Sequence, residues 1–169
     1  MLKFMRNLTL WMLLMILSGC SLSISTTGAS ISTDTKTCKI AYFQNRARII
    51  NPSLSGIFTD ALRDKIESQT PLKLVTGDSD VSFEGEITGY DTQPAAITGD
   101  NVAALDRLTI TVNVVFTNTK TPDFSFTKSF SRYADYSRSA TLQSVESGLV
   151  TDIVKELLDD IYNQAFVNW

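Results

Sequence analysis

The chain has 169 residues, a formal net charge of −3 and a charged fraction of 20%, which suits one globular domain. It contains no histidine and only two cysteines. The lack of histidine excludes a Ser-His-Asp triad, a Cys-His pair and His-ligated zinc. Two cysteines cannot form a Cys₄ metal site or a disulfide scaffold. The composition therefore excludes most hydrolase designs, and we expect neither a metal nor a cofactor.

The first 19 residues have the composition of a secretory signal. They contain Lys3 and Arg6 but no acidic residue, and an apolar run follows at 8–17. A run of about ten residues is shorter than the roughly 20 that a membrane-spanning helix needs. The run ends in Leu-Ser-Gly-Cys, which resembles the lipobox of bacterial lipoproteins. We therefore expect residues 1–19 to be removed and Cys20 to carry acyl chains that anchor the mature protein.

The residues after Cys20 predict where the mature protein resides. In lipoproteins with this motif, an aspartate after the acylated cysteine usually marks retention in the inner membrane, whereas this chain has Ser21. We expect the protein on the periplasmic side of the outer membrane. Residues 20–37 are rich in Ser and Thr and predict a flexible tether. Removal of residues 1–19 leaves 13 basic and 18 acidic residues, a net charge of −5 that disfavours a nucleic-acid partner.

Residues 38–169 are predicted to form one domain. A β-branched and aromatic run at 39–43 predicts a strand, and Asn51-Pro52 predicts the start of a helix that Pro71 ends. Apolar spacings of three and four support that helix and a long second one in the last 28 residues. The remaining runs predict strands at 72–75 and 81–90 and a hairpin of 108–116 with 124–130.

The predicted order is therefore β-α-β-β-β-β-α. We expect an α+β fold in two layers, with both amphipathic helices packed on one face of a mixed, mostly antiparallel sheet. The first strand, the first helix and the second strand form a βαβ unit, so those two strands should run parallel and the others antiparallel. Gly85 interrupts an alternating strand, which indicates either close approach by the covering helix or a β-bulge.

Two features of the sequence are candidate chemical sites. Glu84 and Glu86 lie roughly 7 Å apart on a strand, as in a glycosidase acid-base pair. Their alternation places both on the solvated face, where nothing raises either pKa, so no catalytic residue is predicted and the protein is expected not to be an enzyme. Cys38, the thiol that remains, is either a small buried apolar residue or a reactive one.

Several segments together resemble the LptE family of lipopolysaccharide-assembly lipoproteins. They are the lipobox at Cys20, Phe43-Gln44-Asn45 before a Pro-started helix, the strand patterns at 80–90 and 108–116, and the long last helix. The resemblance implies a plug within the outer-membrane β-barrel LptD that helps insert lipopolysaccharide in the outer leaflet, without a cofactor. The alternative is a non-enzymatic accessory or peptidoglycan-binding lipoprotein of another outer-membrane assembly, because fold does not fix function.

The resemblance also implies candidate lipopolysaccharide contacts. In the family, basic residues at a strand start and before the last helix have been linked to this contact, and Arg107 and Arg138 fall in those places. With the hairpin turn near 120–121, we expect Arg107 to lie across from about Ala134. We further expect the first strand to begin at the same end of the sheet, which adds Lys36 and Lys39. The alternative is that these are ordinary solvated charges.

Overall fold

The computed structural model describes residues 32, 34–95 and 105–167. The predicted signal segment, the lipobox at Cys20 and most of the predicted tether lie outside these residues. The elements in chain order are β1 (Thr37–Ile40), β2 (Gln44–Asn45), α1 (Leu54–Gln69), β3 (Lys73–Leu74), β4 (Val81–Pro94), β5 (Leu105–Asn118), a 3₁₀ turn (Pro122–Phe124), β6 (Phe126–Ser137) and α2 (Leu142–Phe166). The predicted α+β class and element order are confirmed.

The strands form one mixed sheet in the order β3-β1-β4-β5-β6, and β2 pairs with β4 further along its edge. The predicted parallel pairing of β1 and β3 is present, with Thr37 opposite Lys73. β4, β5 and β6 are antiparallel. However, β1 and β2 also run parallel to β4. The expectation that the other strands would all be antiparallel was therefore wrong, because β1 lies between β3 and β4.

One face of the sheet is buried beneath both helices. Alternate side chains of β5 are buried, from Leu108 to Phe116, as a strand with one covered face requires. The apolar stripes of the helices pack against them in a single core. The fully buried helix residues in this core include Leu54, Phe58, Leu62, Ile66, Leu157 and Ile161. The two layers therefore form because β5 and both helices each have a regular apolar face, and these faces pack together.

Two local predictions differ from the structure. α1 begins at Leu54 rather than at Pro52, and Asn51 Oδ1 accepts a hydrogen bond from Ser53 N at 2.9 Å in the turn before the helix. Phe124 was expected in the last strand but lies in the 3₁₀ turn with 42% of its surface exposed. Pro122, two residues before Phe124, has a restricted backbone φ angle and no N–H. Both properties favour a turn over a paired strand at 122–124.

Gly85 marks a close approach, but not by a helix. A Cβ atom at this position would lie 2.1 Å from Asn113 O on β5 and 2.7 Å from Cε1 of Phe43, which lies just before β2. The β-bulge lies further along β4, between Ile87 and Gly89. The extra residue there shifts the alternation, so Tyr90 rather than an odd-numbered neighbour points into the core.

Candidate functional site

The face of the sheet that points away from the helices is polar and balanced in charge. Threonine, serine and asparagine side chains cover most of it. Four ion pairs lie on it, Lys39–Glu84 at 3.3 Å, Arg46–Glu86 at 4.0 Å, Arg48–Asp91 at 3.5 Å and Arg107–Asp135 at 2.7 Å. Lys39–Glu84 and Arg107–Asp135 join neighbouring strands, and Arg46 and Arg48, which follow β2, pair with β4. This face therefore presents alternating charges and hydrogen-bonding groups rather than a basic patch.

Glu84 and Glu86 lie on this polar face, as the alternation predicts. Their side chains are 52% and 47% exposed, and each is within 4.0 Å of a basic side chain. A catalytic acid-base pair needs one carboxyl group in an environment that favours its protonated form. Both carboxylates are instead exposed beside a basic side chain, so the geometry fits surface ion pairs.

Arg107 and Arg138 lie at one end of the sheet, where β5 begins and β6 ends. Arg107 sits directly opposite Asp135, one residue from the predicted partner Ala134. Its guanidinium donates two hydrogen bonds to Asp135, Nε to Oδ1 at 2.7 Å and Nη2 to Oδ2 at 2.9 Å. The hydrogen bonds from Arg107 hold the pKa of Asp135 below its ordinary value. The Arg107 Cζ atom also lies 3.6 Å from the ring centroid of Tyr133.

Arg138 forms the matching contact on the other side of the strand end. It donates to Asp106 Oδ1 from Nη2 at 2.8 Å and from Nε at 3.0 Å. Asp106 and Arg107 are adjacent in β5, so their side chains point to opposite faces of the sheet. The two arginines therefore flank the end of the sheet, and each already has a carboxylate partner.

Lys36 and Lys39 lie at the opposite end of the sheet from Arg107 and Arg138. β1 pairs with the start of β4, with Cys38 opposite Val81, and Val81 in turn is opposite Asn118 at the end of β5. Because β4 and β5 are antiparallel, a strand parallel to β4 begins where β5 ends. The expectation that all four basic residues share one end was therefore wrong.

Asp80 organises the end where β1 begins. Its Oδ2 atom accepts hydrogen bonds from Lys36 N at 2.9 Å, Thr37 N at 3.0 Å and Thr37 Oγ1 at 2.9 Å, and Lys120 Nζ lies 3.1 Å from its Oδ1. These donors, first the backbone of Lys36 and then the Lys120 ammonium, lower the pKa of Asp80 strongly. Asp80 thus fixes the point at which the N-terminal segment joins the domain.

Glu146 joins both layers at the end that carries the arginines. It lies on α2 and accepts hydrogen bonds from Tyr90 Oη on β4 and, at 2.9 Å, from Asn51 Nδ2 before α1. Burial, and then the bond to Glu146, raise the pKa of Tyr90 to about 12, so this phenol remains a donor. These contacts were missed by sequence analysis because they join residues up to 95 positions apart.

The structure favours one of the two predictions for Cys38. Its side chain is completely buried in the core, and burial raises the pKa of the thiol to about 12. A protonated, inaccessible thiol is a poor nucleophile. Cys38 therefore acts as a small apolar residue of β1.

In 32, 34–95 and 105–167, no group of three or more Asp, Glu, Cys or His side chains is placed to hold a metal ion. The same part of the chain has no helix that combines the length and apolarity needed to cross a membrane.

Solved structures define the class of this fold, a two-layer α+β domain with two helices on one face of a mixed sheet. A minor lipoprotein from Acinetobacter baumannii is 13% identical, with a TM-score of 0.50 over 77% of this chain and 91% of that chain. A hypothetical protein from Chlamydia trachomatis is 9% identical, with a TM-score of 0.53 over 78% and 98%. A putative neuraminyllactose-binding hemagglutinin homolog from Helicobacter pylori is 9% identical, with a TM-score of 0.51 over 78% and 83%. These likenesses show the fold alone.

The family follows from the sequence itself. The sequence model of the family LptE, described as lipopolysaccharide-assembly, matches residues 35–165, which covers nearly all of the described fold. The chain therefore belongs to the LptE family of lipopolysaccharide-assembly lipoproteins. No curated protein sequence matches it significantly.

Proposed function

We propose that this protein is an outer-membrane lipoprotein that assists lipopolysaccharide transport and assembly as the plug and partner of an LptD-type β-barrel. The observation that carries the proposal is the family match over residues 35–165. The polar face of the sheet supports it, because the interior of an outer-membrane barrel is polar. The ion pairs Lys39–Glu84 and Arg46–Glu86 on that face neutralise their charges when water is displaced.

The anchor in this proposal is acylated Cys20, followed by the tether of residues 20–37. Asp80 would hold the domain end of that tether at β1. The change Cys20→Ala removes the attachment point, so unprocessed precursor should accumulate in the inner membrane. Acylation is measured as incorporation of labelled palmitate. Recovery of a processed, labelled protein from this variant would refute acylation at Cys20.

Arg107 and Arg138 are the proposed contacts to lipopolysaccharide phosphates. A guanidinium group donates two parallel, charge-assisted hydrogen bonds to a phosphate, as Arg107 does to Asp135. Gln93, opposite Arg107, lies twelve residues along β4 from Val81, about 40 Å from the end where β1 begins. Lys36 and Lys39 are therefore too far away to share one phosphate with the arginines, and the proposed site is reduced to the arginine end.

The partner is tested by isolation of the tagged full-length protein from cells in mild detergent. We expect one large β-barrel protein to co-purify in a one-to-one ratio. Co-purification with a different envelope complex, or with peptidoglycan fragments and no barrel, would contradict the proposal. That result would instead support the accessory or peptidoglycan-binding role.

A further inference from the structure

The loop between β2 and α1 exposes two neighbouring isoleucines beside two arginines. Ile49 and Ile50 are 45% and 64% exposed, and the side chains of Arg46 and Arg48 are 66% and 83% exposed. Isolated apolar residues are common on protein surfaces, but two adjacent exposed aliphatic side chains on one loop favour a contact surface. Residues 46–53 contain two basic and no acidic residues, and Arg46 and Arg48 pair with Glu86 and Asp91 on β4, so an anionic partner competes with these carboxylates.

Hydrogen bonds hold this loop in one shape. Asn45 Oδ1 accepts from Ala47 N at 3.0 Å, and Asn45 Nδ2 donates to Asn51 O at 3.2 Å, so the two ends of the loop are joined. Ala47 is buried, and Asn51 donates to Glu146 on α2. The isoleucines are therefore presented by a fixed loop, which lowers the entropy lost when a ligand binds.

The loop lies beside Arg107. Arg48 Nη2 is 3.5 Å from Asp91 Oδ1, and Asp91 is opposite Thr109 on β5. Arg107 is two residues from Thr109 on the same strand, which places the backbones of Asp91 and Arg107 about 8 Å apart. The Arg48–Asp91 pair is solvent-exposed and long, so a stronger anion can replace the carboxylate at little cost.

We propose that Ile49, Ile50 and Arg48 form a binding surface for the lipid part of lipopolysaccharide. This amphiphile carries phosphates next to acyl chains, which matches a guanidinium next to two aliphatic side chains. The isoleucines contact acyl chains while Arg48 and Arg107 contact phosphates. The inference rests on the proposed function and extends its site from the sheet to the β2–α1 loop.

The test uses the full-length protein in living cells. The photo-crosslinking amino acid p-benzoylphenylalanine is placed separately at Ile50, at Tyr133 beside Arg107, and at Phe124 near the opposite end of the sheet. After irradiation, the protein is purified and its adducts are probed for lipopolysaccharide and for protein. We expect lipopolysaccharide adducts at Ile50 and Tyr133 and none at Phe124.

The other outcomes separate this inference from the proposed function. A lipopolysaccharide adduct at Tyr133 but not at Ile50 would overturn the loop surface alone. A protein adduct at Ile50 would mean that the loop contacts the barrel wall and would also overturn it. Equal adducts at all three positions would show no localised surface. The lack of a lipopolysaccharide adduct at any position would contradict both the inference and the proposed function.

A second measurement tests the apolar part of the surface. The variant Ile49→Ser with Ile50→Ser should reduce the lipopolysaccharide adduct formed at Tyr133 at least about fivefold, because two apolar contacts are lost. The matched control, Phe124→Ser with Val167→Ser, replaces side chains that are 42% and 39% exposed near the other end. The control should leave the adduct unchanged. Equal yields from the two double variants would overturn the role of the isoleucines.

Discussion

Arg107 and Asp135 face each other across β5 and β6, joined by two hydrogen bonds of 2.7 and 2.9 Å. The ring of Tyr133 supports the guanidinium from one side, with its centroid 3.6 Å from Cζ. Arg107, a proposed phosphate contact, is therefore already paired with a carboxylate in the structure. In the proposed site a lipopolysaccharide phosphate has to replace Asp135 or bind beside it, so we expect this aspartate to limit the affinity.

Removal of the competing carboxylate should strengthen binding. In the variant Asp135→Asn, Arg107 keeps a hydrogen-bonding neighbour but no longer has an anionic one. We expect the purified full-length protein to bind immobilised lipopolysaccharide about threefold more tightly or better, because no ion pair has to be broken. Weaker binding by this variant would show that Asp135 holds Arg107 in place rather than competing with the ligand.

Charge reversal at the arginine end should weaken binding. The double change Arg107→Glu with Arg138→Glu is expected to reduce lipopolysaccharide affinity at least about tenfold, because two charge-assisted contacts become repulsive. The control, Lys36→Glu with Lys39→Glu, changes the net charge equally at the opposite end. It should have little effect. If both double variants lose affinity equally, the effect is one of overall charge and the localised site is wrong.

The elements that sequence analysis predicted well are those with local signals. The helical spacing of Leu54, Phe58 and Leu62 depends only on nearby residues, and so does the alternation of β5. The place of Arg107 and Arg138 at one end follows from a single hairpin. An error of one residue in that register arose because the length of the turn was not known from the sequence.

The misplaced residues are those whose position depends on long-range pairing. Lys36 and Lys39 lie at the other end because β1 pairs in parallel with β4, more than 40 residues away. The same pairing brings Lys36 and Thr37 to Asp80, so that the role of this aspartate has no local signature. The exposure of Ile50 could not be predicted from the sequence either, because two adjacent apolar residues more often lie in the core.

A substitution at Gly85 should destabilise the fold. In Gly85→Ala the new Cβ would lie 2.1 Å from Asn113 O, so the strand pair or the Phe43 ring must shift. We expect a loss of roughly 2–4 kcal/mol in the free energy of unfolding. The control is Gly148→Ala in α2, where nothing lies within 4 Å of the added Cβ. It should gain about 0.5–1 kcal/mol, because alanine favours a helix. Urea unfolding measures both, and equal stabilities would contradict the packing described at Gly85.

Asp80 should make stability depend on pH in the acid range. Its pKa is lowered in the folded protein, so the stabilisation is fully present above the unfolded pKa of about 3.9 and is lost as pH falls toward the folded value. In Asp80→Asn the hydrogen bonds to an ionised carboxylate are gone. The variant should be less stable at neutral pH and should lose less stability between pH 5 and pH 2. Parallel pH profiles of the two proteins, measured by thermal unfolding, would argue against this role.

The proposed role in lipopolysaccharide assembly is tested by following newly made lipopolysaccharide in cells depleted of this protein. An enzyme or antibody confined to the outside of the cell reports how much labelled lipopolysaccharide has reached the outer leaflet. We predict that surface arrival falls while synthesis continues, and that wild-type protein restores it but the variant Arg107→Glu with Arg138→Glu does not. Unchanged arrival of labelled lipopolysaccharide at the surface after depletion would contradict the proposed function.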